Sequence, residues 1–231
     1  MGGSYINILK IHSIFTSLDG EISPFHQGKI TTFVRTSGCN FAPKGCSYCD
    51  SESAQKQSKT DRDIPTDKVL KQFFTSHIKK SGVEKITITG GEPLLQENGV
   101  NQLVKLALDN NMYVTVETNG SIIPKYPIKH PKFGYVVDYK LPSSGMESRM
   151  KLKWIPTLTK NDVWKFVIGD HKDYKKARDL VIKMGKKVDT IIAFQPVFGV
   201  IHPKLLLGWM IKDSLYRPII SIQIHKVYGL Q

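Results

Sequence analysis

The chain has 231 residues, enough for one domain yet short of the roughly 250 residues of a complete eight-unit α/β barrel. Hydrophobic residues make up 40% and charged residues 23%, which excludes a disordered chain and allows a real core. The 33 Lys and Arg against 20 Asp and Glu give a formal charge of +13, a general attraction for anions without selectivity.

In chain order, a strand is expected from Ile6 to Phe15, then a polar loop from Thr16 to Lys29. The β-branched and aromatic run Ile30 to Arg35 predicts a second strand. A cysteine loop follows, and Ser51 to Asp63 reads as irregular and polar. Thr66, after Pro65, is placed to cap a helix whose Val69, Leu70, Phe73, Phe74 and Ile78 recur at helical spacing. Ile86 to Thr89 is a short strand that ends in Gly90-Gly91. A helix from Val100 to Asp109 leads to strands at Tyr113 to Val116 and Gly134 to Val137. The strand Trp164 to Ile168 precedes a helix from Asp173 to Met184. Thr190 to Phe194 is a strand, Pro203 to Met210 a helix, and Ile219 to His225 the last strand.

Strands alternating with helices predict parallel βαβ units in one sheet of about six or seven strands. A partial barrel and an open doubly wound sheet both fit, and in either the chemistry gathers at the carboxyl ends of strands. Without an internal repeat or linker, residues 1–231 are read as one domain. No run approaches ~20 apolar residues, so no membrane span is expected. No basic region precedes an apolar run at the start, so no secretory signal is expected and the cytoplasm is the default compartment. The lysine pairs Lys79-Lys80, Lys175-Lys176 and Lys186-Lys187 fall at the ends or outer faces of expected helices. They read as solvated surface, so nucleic acid is not an expected partner. A metal-stabilised RNA-binding module is the competing class that the charge suggests.

The three cysteines, Cys39, Cys46 and Cys49, all fall in one loop. Their odd number and clustering exclude a disulfide framework. In a reducing compartment, clustered thiols bind metal or do redox chemistry. A structural zinc site needs a fourth ligand, which only a distant histidine could supply. A [4Fe–4S] cluster held by three thiolates keeps one iron open to an exogenous ligand. Three other strand ends are polar. Thr89-Gly90-Gly91-Glu92-Pro93 offers bare backbone to a ligand. Glu117-Thr118-Asn119-Gly120 offers an acid and an amide suited to ribose hydroxyls, and Asp138-Tyr139-Lys140 adds a third such terminus.

With Tyr48 before the last cysteine, this set resembles the radical S-adenosylmethionine enzymes, although the first spacing is C-x6-C where C-x3-C is usual. Further segments resemble the 7-carboxy-7-deazaguanine synthase family within them. They are Leu18-Asp19-Gly20-Glu21, Phe33-Val34-Arg35 up to Gly38-Cys39, Cys49-Asp50-Ser51, and Lys140-Leu141-Pro142-Ser143-Ser144-Gly145. Trp164-Lys165-Phe166-Val167-Ile168 and Gln223-Ile224-His225-Lys226 complete them. Asp19 stands where the family has Gln, and Asp138-Tyr139 where it has Ser-Pro. The likeness spans residues 6–226.

The resemblance implies an α/β fold, a shortened, modified partial (β/α) barrel of about six parallel strands with the cluster loop at 36–52. It implies a carbon–nitrogen lyase that contracts the ring of 6-carboxy-5,6,7,8-tetrahydropterin to 7-carboxy-7-deazaguanine, with loss of ammonia, in 7-deazapurine (queuosine) biosynthesis. Cofactors would be a [4Fe–4S] cluster on Cys39, Cys46 and Cys49, S-adenosyl-L-methionine, and Mg²⁺ on Ser51, a hard oxygen ligand. S-adenosylmethionine would meet Tyr48, Asp50, Gly91, Glu92, Glu117, Asp138, Tyr139 and Lys140. The pterin would meet Leu18, Asp19, Gly20, Glu21, Arg35, Thr89 and His225. Arg35 suits a bidentate grip on its carboxylate, and Glu21 its guanidine-like N–H edge. His225, at the end of the last expected strand, would also reach that carboxylate. Expected partners are a flavodoxin- or ferredoxin-type reductant and a second copy of the chain. An activase that makes a glycyl radical on a protein is the competing enzyme reading.

Overall fold

A computed structural model describes residues 8–65 and 68–230. Among these residues, nine strands form one open sheet. They are β1 (Ile8–Leu18), β2 (Ile30–Thr36), β3 (Arg62–Pro65), β4 (Lys85–Gly90), β5 (Tyr113–Thr118), β6 (Phe133–Tyr139), β7 (Val163–Ile168), β8 (Ile191–Pro196) and β9 (Ile219–Ile220). Their order is β3-β1-β2-β4-β5-β6-β7-β8-β9. β1 runs antiparallel to both β2 and β3, and every later neighbour pairs in parallel. The two ends of the sheet do not meet, so the α/β architecture is a partial barrel and not a closed one.

Alternation along the central strands makes the two faces. Val34, Ile86, Ile88, Val114, Val116, Tyr135, Val137, Trp164, Phe166, Ile192 and Phe194 enter the main core. Helix α2 (Glu97–Asp109) covers this face with Val100, Leu103, Val104 and Ala107, the stripe its sequence predicts. Helix α3 (His171–Met184) adds Tyr174, Ala177, Leu180 and Val181, and α4 (Pro203–Lys212) adds Leu206 and Met210. The intervening positions, Arg35, Glu117, Asp138, Lys165, Val167 and Gln195, line a cavity on the concave side.

Three expectations change. The segment expected to be irregular ends in β3, whose sequence RDIP carries little strand signal. It forms because β1 offers an open edge, and an edge strand tolerates Pro65. Helix α1 (Lys68–Phe73) opens into a wide π turn over Phe74–Ile78, which keeps Phe74 and Ile78 buried. The last strand is only the pair Ile219–Ile220. The chain then turns into a short helix, α5 (Ile224–Val227), so His225 is helical and not at a strand end. Ile6 and the Thr66 cap lie outside the described residues. No helix among the described residues is long and apolar enough to cross a membrane.

Candidate active site

The cavity, of about 490 Å³, opens at the carboxyl ends of the parallel strands. One wall is the cysteine loop. Its longer first spacing is absorbed by a turn in which the Gly45 N–H donates to the Phe41 carbonyl at 2.9 Å. Gly45 has φ +67, the left-handed conformation that glycine adopts without strain. Phe41 is buried and anchors the turn. The Cys39 N–H donates to the Gln55 carbonyl (2.9 Å) and the Cys49 N–H to the Cys46 carbonyl (3.2 Å). All three thiols are half-buried and border the cavity. Among the described residues, no three His, Cys, Asp or Glu side chains stand close enough together for a single ion.

Burial pushes the Cys39 thiol above its ordinary value, and pushes Cys46 up to about 11 against the pull of Lys140. These thiols hold their protons at neutral pH until a cation displaces them, and a coordinated metal centre does that outright. Asn119 donates from Nδ2 toward Cys39 Sγ at 3.8 Å.

The turn after β4 meets this loop directly. A Cβ on Gly91 would overlap the backbone of Gly38, and one on Gly90 (φ +126) the backbone of Thr36. Both glycines thus admit the cysteine loop, and both also border the cavity where ligand approach is expected of them. Glu92 is fully buried. Its carboxylate accepts from the Leu94 N–H (2.9 Å), the Thr118 hydroxyl (2.8 Å) and the Asn119 N–H (2.7 Å). It pins the end of β5 to the end of β4 and, although expected among the cofactor's contacts, is not among the residues that line the cavity. Tyr139 also lies elsewhere. It shares its face of β6 with Tyr135 and Val137, and packs on Trp164 and Phe166 in the core. Strand alternation that turns Asp138 to the cavity turns Tyr139 away.

The floor is charged. Lys165 Nζ lies 2.7 Å from Glu21 Oε2 and 3.6 Å from Asp138 Oδ2. Lys140 Nζ meets the same Asp138 oxygen at 2.7 Å. Gln223 donates to the other oxygen of Glu21. Burial opposes ionisation of Glu21, but Lys165 and these hydrogen bonds hold it down at about 2. Glu117 goes the other way. Burial, then repulsion from Glu21, raise it to about 7. Burial would discharge Lys165, yet Asp138, Glu21 and Glu117 together hold its proton firmly.

Arg35 lies 5.0 Å above the Phe15 ring, which stacks on Phe33 at 5.1 Å. Three buried polar atoms at the cavity lack a partner: Arg35 Nε, Tyr48 Oη and Asp138 Oδ1. Groups left this way cost energy until something fills them, and together they fit a polar guest with donors and acceptors. The Tyr48 ring also carries Lys140 Nζ at 5.7 Å. Asp50 and Ser51 border the cavity, with Ser51 Oγ 3.5 Å from Asp50 Oδ1. Leu18 and Thr89 border it too. Asp19 does so at one edge, but its carboxylate pairs with the buried Lys85, which also donates to Ser23 Oγ at 2.6 Å. His225 sits over Gly20, where any Cβ would strike its imidazole. The Ile224 N–H donates to the Gly20 carbonyl (2.9 Å), which docks α5 on this loop.

Sequence reading gave no site role to Lys165, Gln195, Gln223 or the Phe15–Phe33 shelf. For Lys165 a signal existed. It alternates with Trp164 and Phe166 on a strand, so a lysine there faces opposite two core aromatics.

The chain is similar to several known proteins. A model of the radical SAM superfamily matches residues 33–138. Over 219 residues the chain is 36% identical to a 7-carboxy-7-deazaguanine synthase of Clostridium acetobutylicum, covering 94% of this chain and 95% of that protein. A protein of the same name from Chlorobaculum tepidum is 31% identical over 224 residues, covering 94% and 93%. A crystal structure of QueE from Escherichia coli shares the fold with a TM-score of 0.70, over 96% of this chain and 99% of that one, at 19% identity.

Proposed function

The chain belongs to the 7-carboxy-7-deazaguanine synthase family of radical SAM enzymes, and from that premise we propose that it makes 7-carboxy-7-deazaguanine. The substrate is 6-carboxy-5,6,7,8-tetrahydropterin, the ring contracts, and ammonia leaves, which makes the enzyme a carbon–nitrogen lyase. The observation that carries the reading is the meeting, in one cavity, of three thiols with unpartnered buried atoms on Arg35, Tyr48 and Asp138.

Cys39, Cys46 and Cys49 would hold a [4Fe–4S] cluster, which with S-adenosylmethionine would supply the radical chemistry that starts the reaction. The protein's own task is orientation and exclusion of water. Arg35, held flat by Phe15, offers its guanidinium to the substrate carboxylate, where a planar fork binds best. Glu21, kept ionised by Lys165, accepts from the N–H edge of the pterin. Glu117 carries a proton near neutrality and stands where one can be given or taken. Asp138 accepts from a hydroxyl or ammonium of the cofactor through its free oxygen. Ser51, a hard oxygen at the cavity edge, would be the chain's ligand to Mg²⁺, which would supply positive charge for substrate oxygens. A flavodoxin- or ferredoxin-type donor brings the electron, and two copies form a homodimer in the cytoplasm.

Anaerobic reconstitution with iron and sulfide tests this. The expected outcome is about four irons per chain, cleavage of S-adenosylmethionine only after reduction, and a product of the mass of 7-carboxy-7-deazaguanine from the carboxytetrahydropterin. A colourless protein with one zinc and no cleavage would sink the proposal. Cleavage without the product would point to the activase reading instead.

A further inference from the structure

Behind the cysteine loop, outside the cavity, lies a polar cluster that the reaction does not use. On β1, His12 Nδ1 is 3.1 Å from Asp61 Oδ1, and its Nε2 is 3.1 Å from Ser53 Oγ. The Asp61 side chain is only 1% exposed. Its second oxygen accepts from the Ser37 hydroxyl and from the Ser58 N–H at 2.6 Å. With Asp61 as acceptor at Nδ1, the imidazole presents Nε2 to the Ser53 hydroxyl, a tautomer assigned from this network.

The order Ser53, His12, Asp61 is that of a hydrolytic triad. Neither described cavity includes Ser53 in its lining. Its position along the chain points elsewhere. Ser37 stands two residues before Cys39, and Ser53 four residues after Cys49. The two flanks are also laced by backbone bonds, from the Gly38 N–H to the Ala54 carbonyl (2.8 Å) and from the Cys39 N–H to the Gln55 carbonyl (2.9 Å). His12 and Asp61 thus grip both ends of the loop that carries the thiols and fasten them to the sheet. Bonds from Ser37, Ser58 and His12 overcome burial and hold Asp61 below its ordinary value, so the clamp is built as an anion with its donors in place.

We propose that His12 and Asp61 are positioning residues for the iron–sulfur site, fixing the two flanks of the cysteine loop so that Cys39, Cys46 and Cys49 face a common guest. The inference rests on the cluster reading above. Groups behind a metal's ligands typically change its affinity about 10- to 100-fold when removed, and this clamp acts one step further back, through the loop.

The test compares the wild-type chain with Asp61→Ala, Asp61→Asn, His12→Ala and Ser53→Ala after anaerobic reconstitution. Iron content, the rate of cluster loss to a chelator, the EPR spectrum of the reduced cluster and the melting temperature of the cluster-free chain are measured. Asp61→Ala is expected to lose its cluster roughly 10-fold faster than wild type, at the low end of that range. His12→Ala and Asp61→Asn, which keeps one acceptor, should fall between, and the EPR lines should broaden. Cluster-free melting should move far less than cluster lifetime. Should Asp61→Ala not fold, Ser53→Ala removes a single exposed tie, and its cluster should still leave about 2- to 3-fold faster, a fraction of that loss. Wild-type lifetimes in variants that fold would overturn the proposal. So would faster loss matched by an equal drop in stability of the cluster-free chain. A wild-type chain that takes up no iron would sink the cluster reading itself, whereas a stable cluster in every variant would sink only the clamp.

Discussion

The two walls of the cavity are built on opposite principles. The cysteine wall is a loop of free thiols, closed by backbone bonds between residues near in sequence. The floor is a set of ionised side chains on separate elements, with Glu21 and Lys165 144 positions apart. Two lysines there, Lys140 and Lys165, face two carboxylates held ionised, Glu21 and Asp138, while Glu117 holds a proton near neutrality. The floor is therefore balanced before any ligand arrives. The cysteine wall is not, because burial raises the Cys39 and Cys46 thiols, which keep their protons until a cationic guest displaces them. One wall is preorganised by the fold, and the other would be completed by the cluster proposed above.

The strongest way to break that balance is Lys165→Met. It leaves Glu21 and Asp138 buried around an apolar chain. Removing one partner of a buried pair costs about 3–5 kcal/mol, so denaturant unfolding should show a loss of that order, and turnover should fall by roughly 10²-fold or more as Glu21 shifts. Adding Glu21→Gln should return part of the stability but no activity, a coupling that a double-mutant cycle measures. Equal stabilities of Lys165→Met and wild type would mean the floor is not held by charge. Arg35→Ala comes next. A charge-assisted hydrogen bond is worth about 1.5–3 kcal/mol, so kcat/KM for the pterin should fall about 10- to 100-fold. Iron content should stay at the wild-type level, since Arg35 rests on the Phe15 shelf and not on the cysteine loop. Loss of the cluster would instead make Arg35 part of the cysteine wall.

The same contrast explains what could be read from sequence. Cys39, Cys46 and Cys49 were legible because a loop brings together what sequence already places side by side. The parallel strands were legible from their β-branched runs, and Asp138, Lys140 and Arg35 from their places at strand ends. Lys165 and Gln223 were not, because their meaning lies in Glu21, which only the folded chain brings near. Glu92 and Tyr139 were misplaced for local reasons. Glu92 spends its oxygens on the Leu94, Thr118 and Asn119 donors, which no spacing rule announces. Tyr139 could have been excluded by counting in twos from Val137. β3 and α5 form on edges supplied by β1 and by the Gly20 loop, so neither has a strong signal of its own.

Glu117→Gln is the gentlest change, and it tests the balance without breaking it. In the folded chain Glu117 is raised from its ordinary 4.5 to about 7, first by burial and then by Glu21. A folded state that binds its proton more tightly than the unfolded chain gains stability from that proton. The gain is complete below pH 4.5 and is lost as pH rises through 7. Glu21, lowered to about 2, has the opposite sign, since its contribution is present above 4.5 and vanishes only as pH falls through 2. An amide at position 117 does not titrate and cannot repel Glu21. Unfolding of wild type and Glu117→Gln, followed from pH 4.5 to 8, should therefore diverge, with wild type losing stability relative to the variant across the window from 4.5 to 7. The activity of wild type should show a limb near pH 7 that the variant lacks. Parallel stability curves would mean that Glu117 is already ionised in the folded chain, and the floor would then carry a net negative charge for a cationic ligand to neutralise.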